Sequence, residues 1–225
     1  MGDHGGVEGA ATARGGDRRR RLDPDQRRVQ LLGAGVAALA DVPLHDLTID
    51  EVARRAEVSR GLVFHYFGSR AGMHHALVVA ARDGMLRATE PTADLPAAAR
   101  LRDTLERTVA FVRGHRGTFY SLVRGVSSGD SEVRAAIDEA RAVQAARVLA
   151  VAVELGGRDT ALLRMAVRAW IGLAEEALVE AARDRTVDDV ALAGFLTRSA
   201  LAVAEAAEPD EAEAQTSIAP PRSAR

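Results

Sequence analysis

With 225 residues, 47% of them apolar, the chain is long enough to bury a sizeable core, and its net charge of −2 excludes a protein that grips nucleic acid over its whole surface. It contains no cysteine, which excludes a disulfide framework and thiolate metal sites, and no lysine, so all 30 basic residues are arginine. Alanine dominates, aromatics make up only 4%, and strand-like alternation is missing throughout, which predicts an all-helical fold of about nine helices. No apolar run approaches the roughly 18 residues of a membrane span. The N-terminal arginines are not followed by the apolar segment of a signal peptide, so a cytoplasmic protein is expected.

Residues 1–21 are rich in Gly and Arg and are expected to be disordered. Within residues 14–21, Arg14, Arg18, Arg19, Arg20 and Arg21 stand against Asp17 alone. Such an arm either lies along a DNA minor groove or is a solvated leader. Asp23-Pro24 is a strong helix start, with Asp as cap and Pro at the first helical position. Leu32, Val36 and Leu39 then repeat at i, i+4 and i+7 and predict the face on which the next elements pack.

The segment Leu47–Met73, LTIDEVARRAEVSRGLVFHYFGSRAGM, carries the densest signal. Thr48 and Glu51 have the spacing of a capping box, and Leu47 and Val52 that of a hydrophobic staple. Ile49, Val52 and Ala53 share a helix face, Glu57 and Val58 interrupt it, and Ser59 caps a second short helix running to His65. Two short helices joined by a tight turn predict a helix-turn-helix, whose second helix enters the DNA major groove N-terminus first. Ser59, Arg60, Gly61 and Leu62 occupy that end.

The same segment resembles the DNA-binding domain of the TetR family of transcriptional regulators. It matches that family's pattern at Thr48, Ile49, Val52, Ala53, Ala56, Val58, Ser59, Val63, Tyr66, Phe67 and Ser69, and the resemblance is specific over about residues 25–75. It departs at Glu57 (usually Gly), Phe64 (usually Tyr), Arg70 (usually Lys) and Met73 (usually Leu), and Pro43 stands where a glycine is usual after the first helix. In the family the tyrosine and lysine commonly hold phosphates. The resemblance therefore implies phosphate contacts at Arg70, in a bidentate way, and moves the tyrosine's part to Tyr66 and His65. It further implies a larger C-terminal helical domain that binds a small-molecule effector and dimerises.

Ser69 predicts the cap of a fourth helix to about Thr89, stopped by Pro91, and a second unit is expected to begin near Leu95-Pro96. The expected division is a DNA-binding unit over 22–75 and an effector-binding and dimerisation unit over 76–207, with a disordered tail over 208–225. Leu101, Leu105, Val109 and Val112 mark a helix ending near Gly114, and Phe119, Leu122 and Val123 a short one closed by Ser127-Ser128-Gly129. Asp130 opens a long helix through Val133, Ile137, Val148 and Val151, ended by Gly156-Gly157.

Two more helices follow, roughly Asp159–Arg183 and Val187–Ala206, each apolar on more than one side. A helix with a wide apolar surface needs a second partner. Over about 159–206 that partner is either a second copy of the chain, as the family resemblance implies, or the interior of one subunit.

The expected DNA contacts are Thr48, Ser59, Arg60, Gly61, Leu62, His65, Tyr66 and Arg70. Arg60 is the best base reader, because a guanidinium takes guanine O6 and N7 together. Core packing is the preferred reading for Phe64 and Phe67. The effector candidates are Phe111, His115, Phe119, Tyr120 and Trp170, with Glu175 and Glu176 as partners for a cationic group; Trp170 is the strongest and equally fits a packed anchor. His74 and His75 are adjacent and face different sides of a helix, so no metal site and no cofactor is expected. Nucleotide-binding loops, nucleophile elbows and zinc-hydrolase motifs are missing, so an enzyme is not expected. The leading expectation is a dimeric repressor released from a palindromic double-stranded DNA operator by a small molecule. Its rival is a helical ligand-binding or interaction module whose helix-turn-helix no longer binds DNA.

Overall fold

The computed structural model describes residues 22–124, 131–184 and 186–208, with the side chains of Ser121 and Arg124 excepted. The arginine-rich arm, the loop at 127–129, the Asp130 cap and the tail beyond 208 lie outside the described residues. Among the described residues the chain forms nine helices: α1 (Pro24–Ala38), α2 (Ile49–Arg55), α3 (Arg60–Phe67), α4 (Arg70–Ala88), α5 (Ala97–Gly114), α6 (Arg116–Arg124), α7 (Ser131–Glu154), α8 (Ala161–Arg183) and α9 (Asp189–Ala206). None is long and apolar enough to cross a membrane.

Local chemistry sets most of the helix ends. Asp23 accepts from the Gln26 N–H at 2.8 Å while the Gln26 side chain takes the Asp23 N–H at 3.2 Å, a complete capping box with Pro24 at the first helical position. Ser59 accepts from the Leu62 N–H, Ser69 from the Gly72 N–H, and Asp188 from the Ala191 N–H. α8 is capped by Thr160, one residue past the expected start, through the Leu163 N–H. At the far end of α7, Gly156 has φ 106° and Gly157 N–H donates back to Ala152 O, so the glycine pair closes the helix.

Two apolar cores result. One joins α1–α4 with the start of α7 around Leu31, Leu39, Leu44, Leu47, Val52, Val63, Met73, Leu77, Val133 and Ile137. The other is built by α5, α6, the rest of α7, α8 and α9 around Leu101, Val109, Val148, Leu163, Val167, Trp170 and Leu196. α4 serves both: Met73, Leu77 and Val78 lie in the first, and Met85 packs on the second. The expected boundary at residue 75 thus falls inside a continuous helix.

The buried stripe of α1 is Leu31, Gly35 and Ala38, one position from the expected Leu32 and Val36, which are only partly buried, while the expected Leu39, at the C-cap, is buried. Here α4 comes so close that a Cβ on Gly35 would lie 2.4 Å from Leu77 Cδ2. Space, rather than side-chain size, decides which face of α1 turns inward. α6 approaches the turn after α1 just as closely, since a Cβ on Gly117 would lie 2.2 Å from Ala40 O and 2.7 Å from Ala40 Cα.

α8 and α9 form an antiparallel pair whose connection is held by Arg113 of α5. Its guanidinium donates to Asp189 Oδ1 at 2.8 Å, Val187 O at 2.6 Å and Asp184 O at 3.0 Å, and also contacts Ala181 O. The faces of this pair turned away from the core expose Leu162, Met165 and Leu173 on α8 and Val190 and Phe195 on α9, each at least 44% exposed.

Candidate DNA-reading face and ligand cavity

α2 and α3 are held by their turn. Thr48 caps α2 through the Glu51 N–H at 3.2 Å, but the expected reciprocal bond is replaced: Glu51 turns to Arg54 at 2.6 Å and Arg55 at 2.7 Å. Hydrogen bonds from these two guanidiniums hold its carboxyl at a pKa of about 2. Leu47 and Val52, the two staple positions, are both fully buried.

At the end of α2, Val58 N–H donates to Ala53 O and Glu57 N–H to Arg54 O, which places Glu57 in the left-handed conformation, φ 54°. That is the position where the family pattern has glycine. A non-glycine residue there costs about 1–2 kcal/mol. Glu57→Val, whose branched Cβ fits this region worst, should lower the unfolding free energy by about 1 kcal/mol or more in denaturant titration. Glu57→Gly should lose nothing, because the relief of strain offsets the greater freedom of its unfolded chain. Equal losses for both variants would show that the backbone at 57 is unstrained.

α3 sits on the core through Val63 and Phe67, and Arg28 lies over the Phe67 ring, 5.3 Å from its centroid. Ser59, Arg60, Gly61 and His65 are exposed, Leu62 and Tyr66 are half-buried, and the His65 and Tyr66 rings meet edge to face. A Cβ at Gly61 would meet only Ser59 Oγ, at 4.0 Å, so packing within the described residues does not require glycine there. Phe64 corrects the expectation of core packing, being 54% exposed on the outward side of α3. An eight-residue helix that offers one side to the core through Val63 and Phe67 has no room there for the residue between them.

Arg60 is held by Asp50 of α2 at 3.0 Å, an exposed ion pair. Arg70 donates its Nε–H to Leu47 O at 3.1 Å and also contacts His45 O, which ties the loop before α2 to the start of α4. His74 is buried with its Nε2 2.8 Å from Leu47 O, a structural place for one of the paired histidines. No group of three or more His, Asp or Glu among the described residues could hold a metal ion.

The second core encloses a cavity of about 400 Å³. Its walls are helical stripes: Arg100, Leu101, Thr104, Leu105 and Thr108 of α5; Arg141, Gln144, Arg147, Val148 and Val151 of α7; Trp170, Ile171, Ala174, Glu175 and Leu178 of α8. Of the sequence candidates it brings together Phe119 and Trp170. Trp170 is also an anchor, since its Nε1–H donates to Ser199 Oγ of α9 at 2.9 Å. Phe111 and His115 stack at 4.3 Å and line a smaller neighbouring cavity of about 220 Å³, which shares Met85, Phe119, Ala140 and Glu175 with the first. Tyr120 is 41% exposed and lines neither. Glu175 is held by the Arg141 guanidinium at 2.9–3.1 Å, and Glu176 is exposed outside both cavities.

Sequence reasoning missed the cavity's polar residues. The signal was there as polar side chains set within apolar stripes: Thr104 between Leu101 and Leu105, and Gln144 and Arg147 between Ala140 and Val151. Burial lowers the pKa of Arg147 from the usual arginine value, with Glu90 opposing the shift and Arg107 adding to it.

Comparison with known proteins agrees with this arrangement. A family model for bacterial regulatory proteins of the tetR family matches residues 31–77, and one for the tetracyclin repressor-like C-terminal domain matches residues 97–208. The chain is 40% identical over 74 residues to the HTH-type transcriptional regulator BetI of Pectobacterium atrosepticum, a match covering 29% of this chain and 38% of that protein. It spans little more than a third of that relative's length. A tetR-family transcriptional regulator from Streptomyces coelicolor superimposes with a TM-score of 0.75 at 26% identity over 87% of both chains. The regulator FadR of Bacillus subtilis, solved with stearoyl-CoA, shares the fold with a TM-score of 0.62 at 17% identity, covering 78% of this chain and 98% of that one. A helix-turn-helix matched by one family model and a helical remainder matched by its companion place the chain in the TetR family of DNA-binding transcriptional regulators.

Proposed function

We propose that this regulator is a homodimeric repressor that binds a palindromic operator through α3 and is released when a small molecule enters the α5–α7–α8 cavity. The carrying observation is the layout of α4. It begins beside α3, and its last carbonyls, Leu86 O and Thr89 O, accept from Arg147, a wall residue of the cavity. A ligand that favours another position of Arg147 thereby favours another position of α4 and of the DNA-reading helix. It shifts the equilibrium only by its differential affinity for the two shapes. The Bacillus FadR complex supports the reading to the extent that a protein of this fold binds an acyl-CoA.

The dimer rests on the exposed apolar residues Leu162, Met165, Leu173, Val190 and Phe195, which a second copy would cover, and on the need of a helix-turn-helix for two half-sites about one DNA turn apart, roughly 34 Å. The DNA contacts are assigned to Thr48, Ser59, Arg60, Gly61, Leu62, His65, Tyr66 and Arg70. To these we add the exposed Phe64, suited to a thymine methyl. The ion pair of Arg60 with Asp50 is exposed and worth about 0–1 kcal/mol, so it yields readily to a guanine. Arg60→Ala should cost about 1–3 kcal/mol of operator affinity and relax specificity at one position per half-site, read by competition binding on single-base operator variants. A uniform loss on every sequence would make Arg60 a phosphate contact.

The test of the whole reading is to sequence the genomic fragments retained by the purified protein. One enriched palindrome, lost at high salt, is the expected result. Enrichment of a lone half-site would overturn the dimer, and retention without any shared sequence would overturn the operator.

A further inference from the structure

The proposed release mechanism requires a ligand, and the cavity's charges specify its class; the inference rests on that reading and narrows it. Four charged side chains line the cavity: Arg100, Arg141, Arg147 and Glu175. Arg100 is paired with Glu154, and Arg141 with Glu175 and Asp138. Arg147 has no carboxylate in contact. Its bonds run to Thr89 O at 3.0 Å, Thr89 Oγ1 at 3.3 Å, Gln144 Oε1 at 3.4 Å and Leu86 O at 3.1 Å, all neutral acceptors. These engage both Nη atoms. The Nε–H, which with Nη2 forms the parallel fork of a guanidinium, makes no hydrogen bond among the described residues. Arg147 is partly buried and holds the C-terminal carbonyls of α4, a role that needs no carboxylate and leaves donors able to take an anion.

Thr104, 7% exposed and also in the wall, has a hydroxyl oxygen that is fully buried and without a hydrogen-bond partner, so this wall offers the cavity no polar atom at that position. The rest of the lining is mostly apolar, with Leu101, Leu105, Val148, Val151, Ile171 and Leu178 on three different helices.

We propose that the cavity binds an apolar molecule with a single carboxylate, which takes the Nε–Nη2 edge of Arg147 while its apolar body lies against α5 and α8 beside Trp170. A carboxylate fits that edge in a bidentate way, and drawing the guanidinium toward it loosens the bonds to the end of α4. A cationic ligand is disfavoured, because Glu175 already accepts from Arg141 three times.

Trp170 is the single tryptophan of the chain, so its emission reports the cavity directly. The full-length protein is titrated with decanoate, decanol and decyltrimethylammonium, each below its micelle-forming concentration. Decanoate should bind about tenfold more tightly than the other two, the advantage of a charge-assisted bidentate pair over a neutral contact. In Arg147→Gln that preference should collapse to about twofold or less. The comparison within the unaltered protein needs no variant, so it stands even if Arg147→Gln does not fold.

Equal binding of decanol, tighter binding of the cation, a decanoate preference that survives in a folded Arg147→Gln, or no response to any of the three would each overturn the carboxylate assignment. Retention of operator DNA, measured without ligand, fails or succeeds independently and tests the regulator itself.

Discussion

Replacing Leu77 with alanine should lower the unfolding free energy by about 2–5 kcal/mol, the range for a fully buried leucine whose surroundings relax only in part. The site offers little room to relax, because Leu77 fills the hollow that Gly35 leaves in α1. Gly35→Ala should itself cost about 1–3 kcal/mol, since the new Cβ would sit 2.4 Å from Leu77 Cδ2, a fully buried side chain that must shift. Combined, the two substitutions should be less harmful than their sum, because the methyl added at position 35 then occupies part of the space that Leu77 vacates. A coupling of about 0.5–3 kcal/mol in that direction is expected from denaturant unfolding of all four proteins. Strict additivity would show that α1 and α4 do not meet at this pair.

Gly117→Ala should be the most damaging of the small substitutions in the helices. Its Cβ would be placed against Ala40 O, Cα and C, all backbone atoms, which cannot turn aside as a leucine tip does. Either α6 or the turn after α1 must move. The expected loss is about 1–3 kcal/mol, which lowers the melting temperature by about 2–4 °C for each kcal/mol in a chain of this size. Helix propensity alone would favour alanine by about 1 kcal/mol, so the measured loss is net of that gain. Gly84→Ala is the control: Gly84 lies within α4 with nothing within 4 Å of its Cβ, and its substitution should stabilise by about 0.5–1 kcal/mol. If both variants gained stability, the close approach of α6 to Ala40 would be refuted. Because α6 places Phe119 in the second core and packs Leu122 against the first, a folded Gly117→Ala should also respond to the proposed ligand differently from the parent in operator release.

What could be read from the sequence was whatever depends on a few neighbouring residues. Asp23, Ser59 and Ser69 cap the helices they were expected to cap, because an N-cap needs only one oxygen and the N–H three residues on. The same range explains the miss at Glu51. Its spacing suits a bond back to Thr48, but two arginines at i+3 and i+4 compete for the same carboxylate and win. Gly35 and Gly117 were silent for a different reason: a glycine carries no apolar signal, yet it permits the shortest distances between elements. Phe64 misled in the opposite way, an apolar residue that the fold leaves 54% exposed because Val63 and Phe67 already fill the core side of α3. The cavity was hardest. Thr104, Arg147 and Trp170 lie on three helices, and no spacing along the chain reveals that they share a wall.

The Arg113 clamp bears on how the proposed homodimer would assemble. Four acceptors gathered by one guanidinium, itself 11% exposed, fix the α8–α9 connection to α5 before any second subunit arrives. Two such faces would meet already shaped, so association would forfeit little conformational entropy at the connection, and little of the binding energy would be spent on ordering it. Assembly would then be limited by encounter and orientation rather than by a folding step, so its half-time would shorten in proportion as subunit concentration rises.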